Sequence, residues 1–147
     1  MIQRIQTIYL LAAAIAALLM YWGPLATFGS ISMYSCHLTD PANGPQIISM
    51  IVLAILPLVS LLLSFLTIFK FKNRTLQIKL GRFNLLLLIV ILGVEYIYAS
   101  RIGSVLQIKP SFEYLSIMPF VSMLFILLAN RAIKKDDALV KSADRIR

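Results

Sequence analysis

Four long apolar runs constrain this chain more than any other feature of its sequence. A helix needs about 20 mostly apolar residues to cross the hydrocarbon core of a bilayer. Four stretches of the 147 residues meet or approach that length, at about 5–28, 47–69, 83–100 and 112–133. With 60% hydrophobic and 14% charged residues, the composition lies well outside the range of soluble domains. The chain is therefore expected to be an integral membrane protein with a single domain, residues 1–147.

The predicted fold is all-α, an integral membrane four-helix bundle with up-down-up-down topology. Its helices are expected at about 5–28, 47–69, 74–100 and 112–140. The first run also resembles a signal peptide because Arg4 precedes it, but it is longer than a usual h-region and has no clear cleavage signature. The loop at 29–46 is dense in turn formers at 39–45, and it is expected to be a short cap that is ordered to irregular.

The distribution of Lys and Arg predicts how the chain is threaded, because these residues accumulate in cytoplasmic loops. We call residues 70–82 the hinge and residues 131–147 the tail. Placing the N-terminus, the hinge and the tail on one side collects twelve of the fourteen Lys and Arg residues, namely Arg4, Lys70, Lys72, Arg74, Lys79, Arg82, Arg131, Lys134, Lys135, Lys141, Arg145 and Arg147. The remaining two, Arg101 and Lys109, lie in the loop that is predicted to be on the opposite side of the membrane. Both termini and the hinge are therefore predicted to be cytoplasmic.

The third and fourth helices are predicted to extend into the cytoplasm. In the hinge, Leu76, Ile78 and Leu80 alternate with polar residues as in a strand, whereas Leu76, Leu80 and Phe83 share one face of a helix. An isolated strand beside a membrane has no partner, so we expect a helix that is capped by Asn73 and continues into the third run. The tail contains strong helix formers and neither Pro nor Gly, which favours continuation of the fourth helix.

Small residues in the first two runs predict close packing between helices. Ser60, Ser64 and Thr67 lie at i, i+4 and i+7, which places them on one stripe suited to interhelical hydrogen bonds. A polar pore lining is the alternative, although a bundle of this size has little room for a pore. The alanines between positions 12 and 17 would likewise allow the first helix to approach a neighbour closely.

Glu95 is the one acidic residue in the interior of an apolar run. An ionised side chain at the centre of a membrane helix costs about 2.5 to 3.5 kcal/mol, so such residues are candidate functional sites. Glu95 precedes Arg101 by about 9 Å along a helix, which favours an interfacial position with snorkelling to headgroups or a hydrogen bond to a Ser or Tyr of another helix. A proton or ion site and a contact with a partner are the alternatives.

The sequence predicts no catalytic, cofactor-binding or metal site. It has a single histidine, no nucleophile–base pair and no Gly-rich phosphate loop. Cys36, His37 and Asp40 lie within five residues, but one short loop without a second cluster lacks the spacing of a structural metal site. The net charge of +8 is explained by topology and by anionic headgroups. We therefore expect no enzyme and no nucleic acid partner.

Three stretches of the sequence are similar to a known family. They are MIQRIQTIYLL at 1–11, KNRTLQI at 72–78 and ANRAIKKDDALVKSADRIR at 129–147. In these stretches the chain resembles the uncharacterised four-pass membrane proteins of Bacteroidota numbered 4293 among the domains of unknown function. The resemblance covers the whole chain, and the tail is its most specific part. It implies a bacterial inner-membrane location and four helices, and it supplies no activity, substrate or catalytic residue.

Two functions of different classes follow as hypotheses. The leading one is a non-enzymatic accessory or scaffold subunit that presents a basic cytoplasmic face to a protein partner or to anionic lipid headgroups, through Lys70, Lys72, Arg74, Lys79, Arg82, Arg131, Lys134 and Lys135. A plainer interpretation is that these basic residues only fix the topology and bind lipid. The other hypothesis is a small-solute or ion/proton transporter, working as a homo-oligomer and using Glu95.

Overall fold

Four long helices and a small sheet make up the protein. The computed structural model describes residues 2–40, 44–46, 50–71 and 73–144. The helices are α1 (Ile2–Leu19), α2 (Ile51–Phe69), α3 (Arg74–Leu106) and α4 (Met118–Asp144), and a 3-10 helix (Tyr114–Ile117) leads into α4. The strands are β1 (Ala26–Phe28), β2 (Ile31–Met33), β3 (Leu38–Asp40), β4 (Gly44–Gln46) and β5 (Ser111–Phe112).

The four helices pack side by side, and their outer surfaces are apolar. α1 and α3 each contact both α2 and α4. Three helices are long and apolar enough to cross a membrane, Ile51–Phe69, Arg74–Leu106 and Tyr114–Val140, whereas the apolar part of α1, Ile5–Leu19, is shorter. Large side chains such as Leu62, Leu86 and Leu124 point outward. Exposed apolar side chains along every helix are the pattern expected where lipid is the solvent.

The all-α prediction is wrong at one end of the molecule, where the five strands form an antiparallel sheet in the order β4-β3-β2-β1-β5. We call this the sheet end, and the opposite end, which carries the hinge, the hinge end. β1 and β2 are joined by a two-residue turn at Gly29 and Ser30, and Gly29 has a φ of 64° that glycine adopts readily. Residues 29–46, where they are described, are therefore largely ordered strand, which the prediction of a short cap did not specify.

The first helix ends at Leu19, well before the predicted end at 28. Gly23 and Pro24 stop it, because proline has no N–H to donate and disfavours helical backbone in the residue before it. The apolar residues that follow belong to the sheet, where Leu25 and Phe28 are buried in the core. A continuous apolar run thus contains a helix and a strand.

The other helix ends also differ from the prediction. α3 continues past residue 100 to Leu106, where the N–H of Gln107, in a left-handed conformation, donates to the Gly103 carbonyl. α4 begins at Met118 and not at 112, because Ser111 and Phe112 pair with β1. α2 begins at Ile51, and the predicted start at 47 lies outside the described residues.

The predicted extensions of the helices at the hinge end are confirmed as helix. α3 begins at Arg74, and the side chain of Asn73 accepts a hydrogen bond from the Leu76 N–H at 3.0 Å. α4 continues beyond residue 140 to Asp144. At 33 residues, α3 is about 50 Å long, which exceeds the roughly 30 Å of a hydrocarbon core. Part of it must therefore lie outside the hydrocarbon.

Candidate functional site

A hydrogen-bonded polar cluster joins α2 to α3 in the half of the protein nearer the hinge end. Asn84 Nδ2 donates to the Ser60 carbonyl at 3.2 Å and to Ser64 Oγ at 3.0 Å. Asn84 Oδ1 accepts from Ser60 Oγ at 2.7 Å. All three side chains, which we call the Asn84 cluster, are buried. The predicted serine stripe of α2 therefore serves helix packing through hydrogen bonds.

Two further polar contacts lie closer to the hinge. Gln77 Nε2 donates to the Thr67 carbonyl at 2.8 Å, which satisfies one of the last carbonyl groups of α2. Asn130 of α4 lies so close to Gly81 of α3 that a β-carbon at Gly81 would clash with the side-chain amide of Asn130. Glycine at position 81 thus lets α4 approach α3 closely without displacing the Asn130 side chain.

The hinge and the tail meet in a salt bridge at the hinge end. Arg74 Nη2 lies 2.9 Å from Asp136 Oδ2, and the two side chains are 21% and 13% exposed. The bridge joins the first residue of α3 to the last third of α4. Because both partners are shielded from solvent, their attraction is screened less than that of a fully exposed pair.

Around this bridge, most of the predicted docking residues face solvent. Lys72 lies outside the described residues, and Arg74 is half-buried in its bridge. The exposed side chains, which we call the basic surface, are Lys70, Lys79, Arg82, Arg131, Lys134 and Lys135. Lys70 follows the end of α2 and the other five lie on α3 and α4, so the basic surface draws on three segments of the chain.

Glu95 lies deeper than the sequence indicates. Because α3 continues to Leu106, Glu95 is about 16 Å from the end of the helix. Its side chain is 2% exposed, so it does not snorkel. Neither carboxyl oxygen has a hydrogen-bond partner in the described part of the chain. The nearby hydroxyl of Ser116 donates to the Glu113 carbonyl instead, at 2.7 Å. An isolated carboxylate at this depth needs a proton, a cation or a donor from another molecule.

Apolar residues separate Glu95 from the Asn84 cluster along α3. The buried positions of the helix recur every three or four residues, and Leu88 and Ile91 lie between Asn84 and Glu95 on that stripe. Both are fully buried. The polar side chains on this stripe of α3 therefore do not form a continuous row from one end of the helix to the other.

The loop cluster of Cys36, His37 and Asp40 does not form a recognisable site. Cys36 is exposed, and the His37 ring stacks on Tyr34 with centroids 4.7 Å apart. Among the residues that the structure describes, no group of three or more His, Cys, Asp or Glu side chains could hold a metal ion.

The sequence analysis did not predict that Gln77, Gly81, Asn84 and Asn130 are parts of the core. One signal was available, because Gln77, Gly81, Asn84, Leu88 and Ile91 alternate in steps of four and three, the spacing of one buried helix face. Asn130 had no comparable signal. Its role depends on the contact between α3 and α4, which no local pattern reveals.

Fold and site together define a mostly helical protein with membrane-spanning character and a core containing hydrogen-bonded polar side chains. A family model described as Domain of unknown function (DUF4293) matches residues 2–146. The chain therefore belongs to this family. Comparisons with curated proteins and with solved structures gave no match.

Proposed function

We propose that this chain is a non-enzymatic accessory or scaffold subunit of a bacterial inner membrane. It crosses the membrane four times, with both termini and the hinge end in the cytoplasm. The basic surface docks onto an acidic protein partner and onto anionic lipid headgroups. The observation that carries this proposal is the Arg74–Asp136 bridge, since it holds the hinge and the tail together while six neighbouring cations stay exposed.

The internal polar groups support a structural role for the core. Asn84, Ser60 and Ser64 bond to one another across α2 and α3, as expected of groups that fix helix packing. The one histidine stacks on Tyr34, and among the described residues the buried carboxyl of Glu95 has no base or nucleophile bonded to it. The hydrogen bonds of the core therefore support a structural role for its polar side chains.

The proposed orientation has a direct test, because Cys36 is the one cysteine and is exposed at the sheet end. A membrane-impermeant maleimide added to intact spheroplasts should label it. Labelling that needs lysis would place the sheet end in the cytoplasm and overturn the orientation. A Cys36→Ser variant controls for labelling of other proteins.

The docking surface is tested by neutralising cations at the two ends in matched pairs. After crosslinking in membranes and extraction in mild detergent, the Lys79→Gln/Lys134→Gln variant should lose its bound protein and its retained phosphatidylglycerol. The Arg101→Gln/Lys109→Gln variant, with the same change of charge at the sheet end, should keep its bound protein. Equal retention by the two variants would refute docking through the basic surface. The Cys36 labelling of each variant shows whether its orientation is unchanged.

Transport through Glu95 is the second candidate, and the buried carboxyl without a bonded partner is the observation that favours it. A transporter of this kind would work as a homo-oligomer, since Leu88 and Ile91 interrupt the polar side chains within one copy. Reconstituted in proteoliposomes, it should show flux driven by a pH gradient that Glu95→Gln abolishes. Flux unaffected by the substitution would remove this candidate.

A further inference from the structure

A cleft at the outer surface of the helices is lined in part by Glu95. It has a volume of about 260 Å³ and lies between α3 and the start of α4, lined by Leu92, Glu95, Tyr96, Phe112, Ser116 and Phe120. Glu95 is its deepest polar group, since its side chain is 2% exposed while Tyr96, Phe112 and Phe120 are all exposed at the rim. We call this the Glu95 cleft.

The chemistry of the cleft selects a cation that can donate hydrogen bonds. Both oxygens of Glu95 are buried, and within the described residues neither accepts a hydrogen bond. Three aromatic rings stand at the rim, and aromatic faces attract ammonium groups. Carboxylate and aromatic rings together suit a primary ammonium, which forms charge-assisted hydrogen bonds with the first and cation–π contacts with the second.

A second cleft adjoins the first across Tyr96, which lines both. It has a volume of about 440 Å³ and lies nearer the end of α3, with Ser100, Ser104, Gln107 and Lys109 among its lining residues. The ammonium of Lys109 is suited to a phosphate as a point charge. The Glu95 cleft therefore favours a positive ligand group and the second cleft favours a negative one, with Tyr96 between them.

We propose that the two clefts together bind the headgroup of a phospholipid that carries a primary ammonium, such as phosphatidylethanolamine. The ammonium donates to Glu95 between the aromatic rings, and the phosphate lies against Lys109. The acyl chains lie along the exposed apolar faces of α3 and α4, which include Ile97 and Leu124. A lipid is the source that fits, because the cleft opens sideways on membrane-spanning helices, where lipids have access and soluble amines are scarce.

The test is competitive lipid retention measured by native mass spectrometry. The whole chain in detergent receives equal amounts of phosphatidylethanolamine, phosphatidylcholine and phosphatidylglycerol with the same acyl chains. The wild type should retain the ethanolamine lipid about tenfold over the choline lipid, because a quaternary ammonium has no N–H for Glu95. Equal retention of the ethanolamine and choline lipids would overturn the proposal.

Variants locate the binding at the cleft. Glu95→Gln should lower retention of the ethanolamine lipid about tenfold, and Tyr96→Leu, a change at the exposed rim, should lower it several-fold without a risk to folding. Glu113→Gln is the matched control, since Glu113 is another carboxyl of the sheet end and already accepts from Thr27 Oγ1 at 3.2 Å. Retention unchanged in both Glu95→Gln and Tyr96→Leu would refute the assignment.

Two further experiments distinguish a bound lipid from other occupants of the cleft. Soluble phosphoethanolamine at millimolar concentration should not displace the lipid, and displacement would show that a water-soluble amine is the ligand. A dimer that Glu95→Gln dissociates, with lipid retention unchanged, would assign the cleft to a second copy of the chain. The lipid proposal stands apart from the proposed docking function, which concerns the opposite end of the molecule.

Discussion

Asn84 and Glu95 lie on the same buried stripe of α3 and yet have opposite surroundings. Asn84 is bonded through both atoms of its amide to Ser60 and Ser64 of α2. Glu95 is equally buried, but its carboxyl accepts no hydrogen bond from the described residues. A polar group whose partners belong to the chain stabilises the fold. A buried polar group that has no hydrogen-bond partner in the chain indicates a partner outside it.

The comparison predicts that loss of Asn84 is the costlier change. Asn84→Leu removes the amide and leaves the Ser60 hydroxyl without its acceptor in an apolar environment, so we expect a loss of about 2 kcal/mol in the free energy of unfolding. The measurement is resistance to a pulse of protease during titration with SDS in mixed micelles. Adding Ser60→Ala should recover part of the loss, because it removes the hydroxyl that Asn84→Leu leaves without a partner. Wild-type resistance of Asn84→Leu would show that the cluster does not hold α2 to α3.

A second prediction concerns the close approach of α4 to the same half of α3. Gly81→Ala places a methyl group against Asn130, and the resulting overpacking should cost about 1 to 2 kcal/mol of stability in the same assay. Gly93→Ala is the matched control, because a β-carbon there meets nothing within 4 Å. It should be neutral or stabilise by up to about 1 kcal/mol through helix propensity. If the two alanine variants were equally stable, α3 and α4 would be less closely packed than described.

The sequence predicted the features that depend on local pattern. Asn73 has the side chain that a helix N-cap requires, so the start of α3 was found to the residue. The serine stripe of α2 was recognised because its spacing is helical. The end of α1 was missed because residues 25–28 are as apolar as the helix before them, although Gly23 and Pro24 marked a break.

The features that were missed depend on contacts between distant segments. The strand Ser111–Phe112 exists because it pairs with β1, whose paired residues lie 84 and 86 positions earlier in the sequence. The turn at Gly29 and Ser30 carried a hairpin signal, but three-residue strands are too short to show a clear alternation. The surroundings of Glu95 were likewise hidden, since the depth of its cleft depends on where β5 and α4 lie.

The smallest expected change in stability is that of Glu95→Gln in detergent without lipid. The substitution keeps the shape of the side chain and loses no hydrogen bond within the described chain, so the free energy of unfolding should change by less than about 0.5 kcal/mol. A loss as large as that of Asn84→Leu would show that Glu95 has a partner within the protein, and the contrast between the two residues would fail.

Added phosphatidylethanolamine sharpens the comparison, because a ligand that binds the folded state alone stabilises it in proportion to the logarithm of its concentration. The wild type and Asn84→Leu should both gain resistance on its addition, whereas Glu95→Gln should gain little, since that variant retains its fold but has lost the negative charge that binds the ammonium.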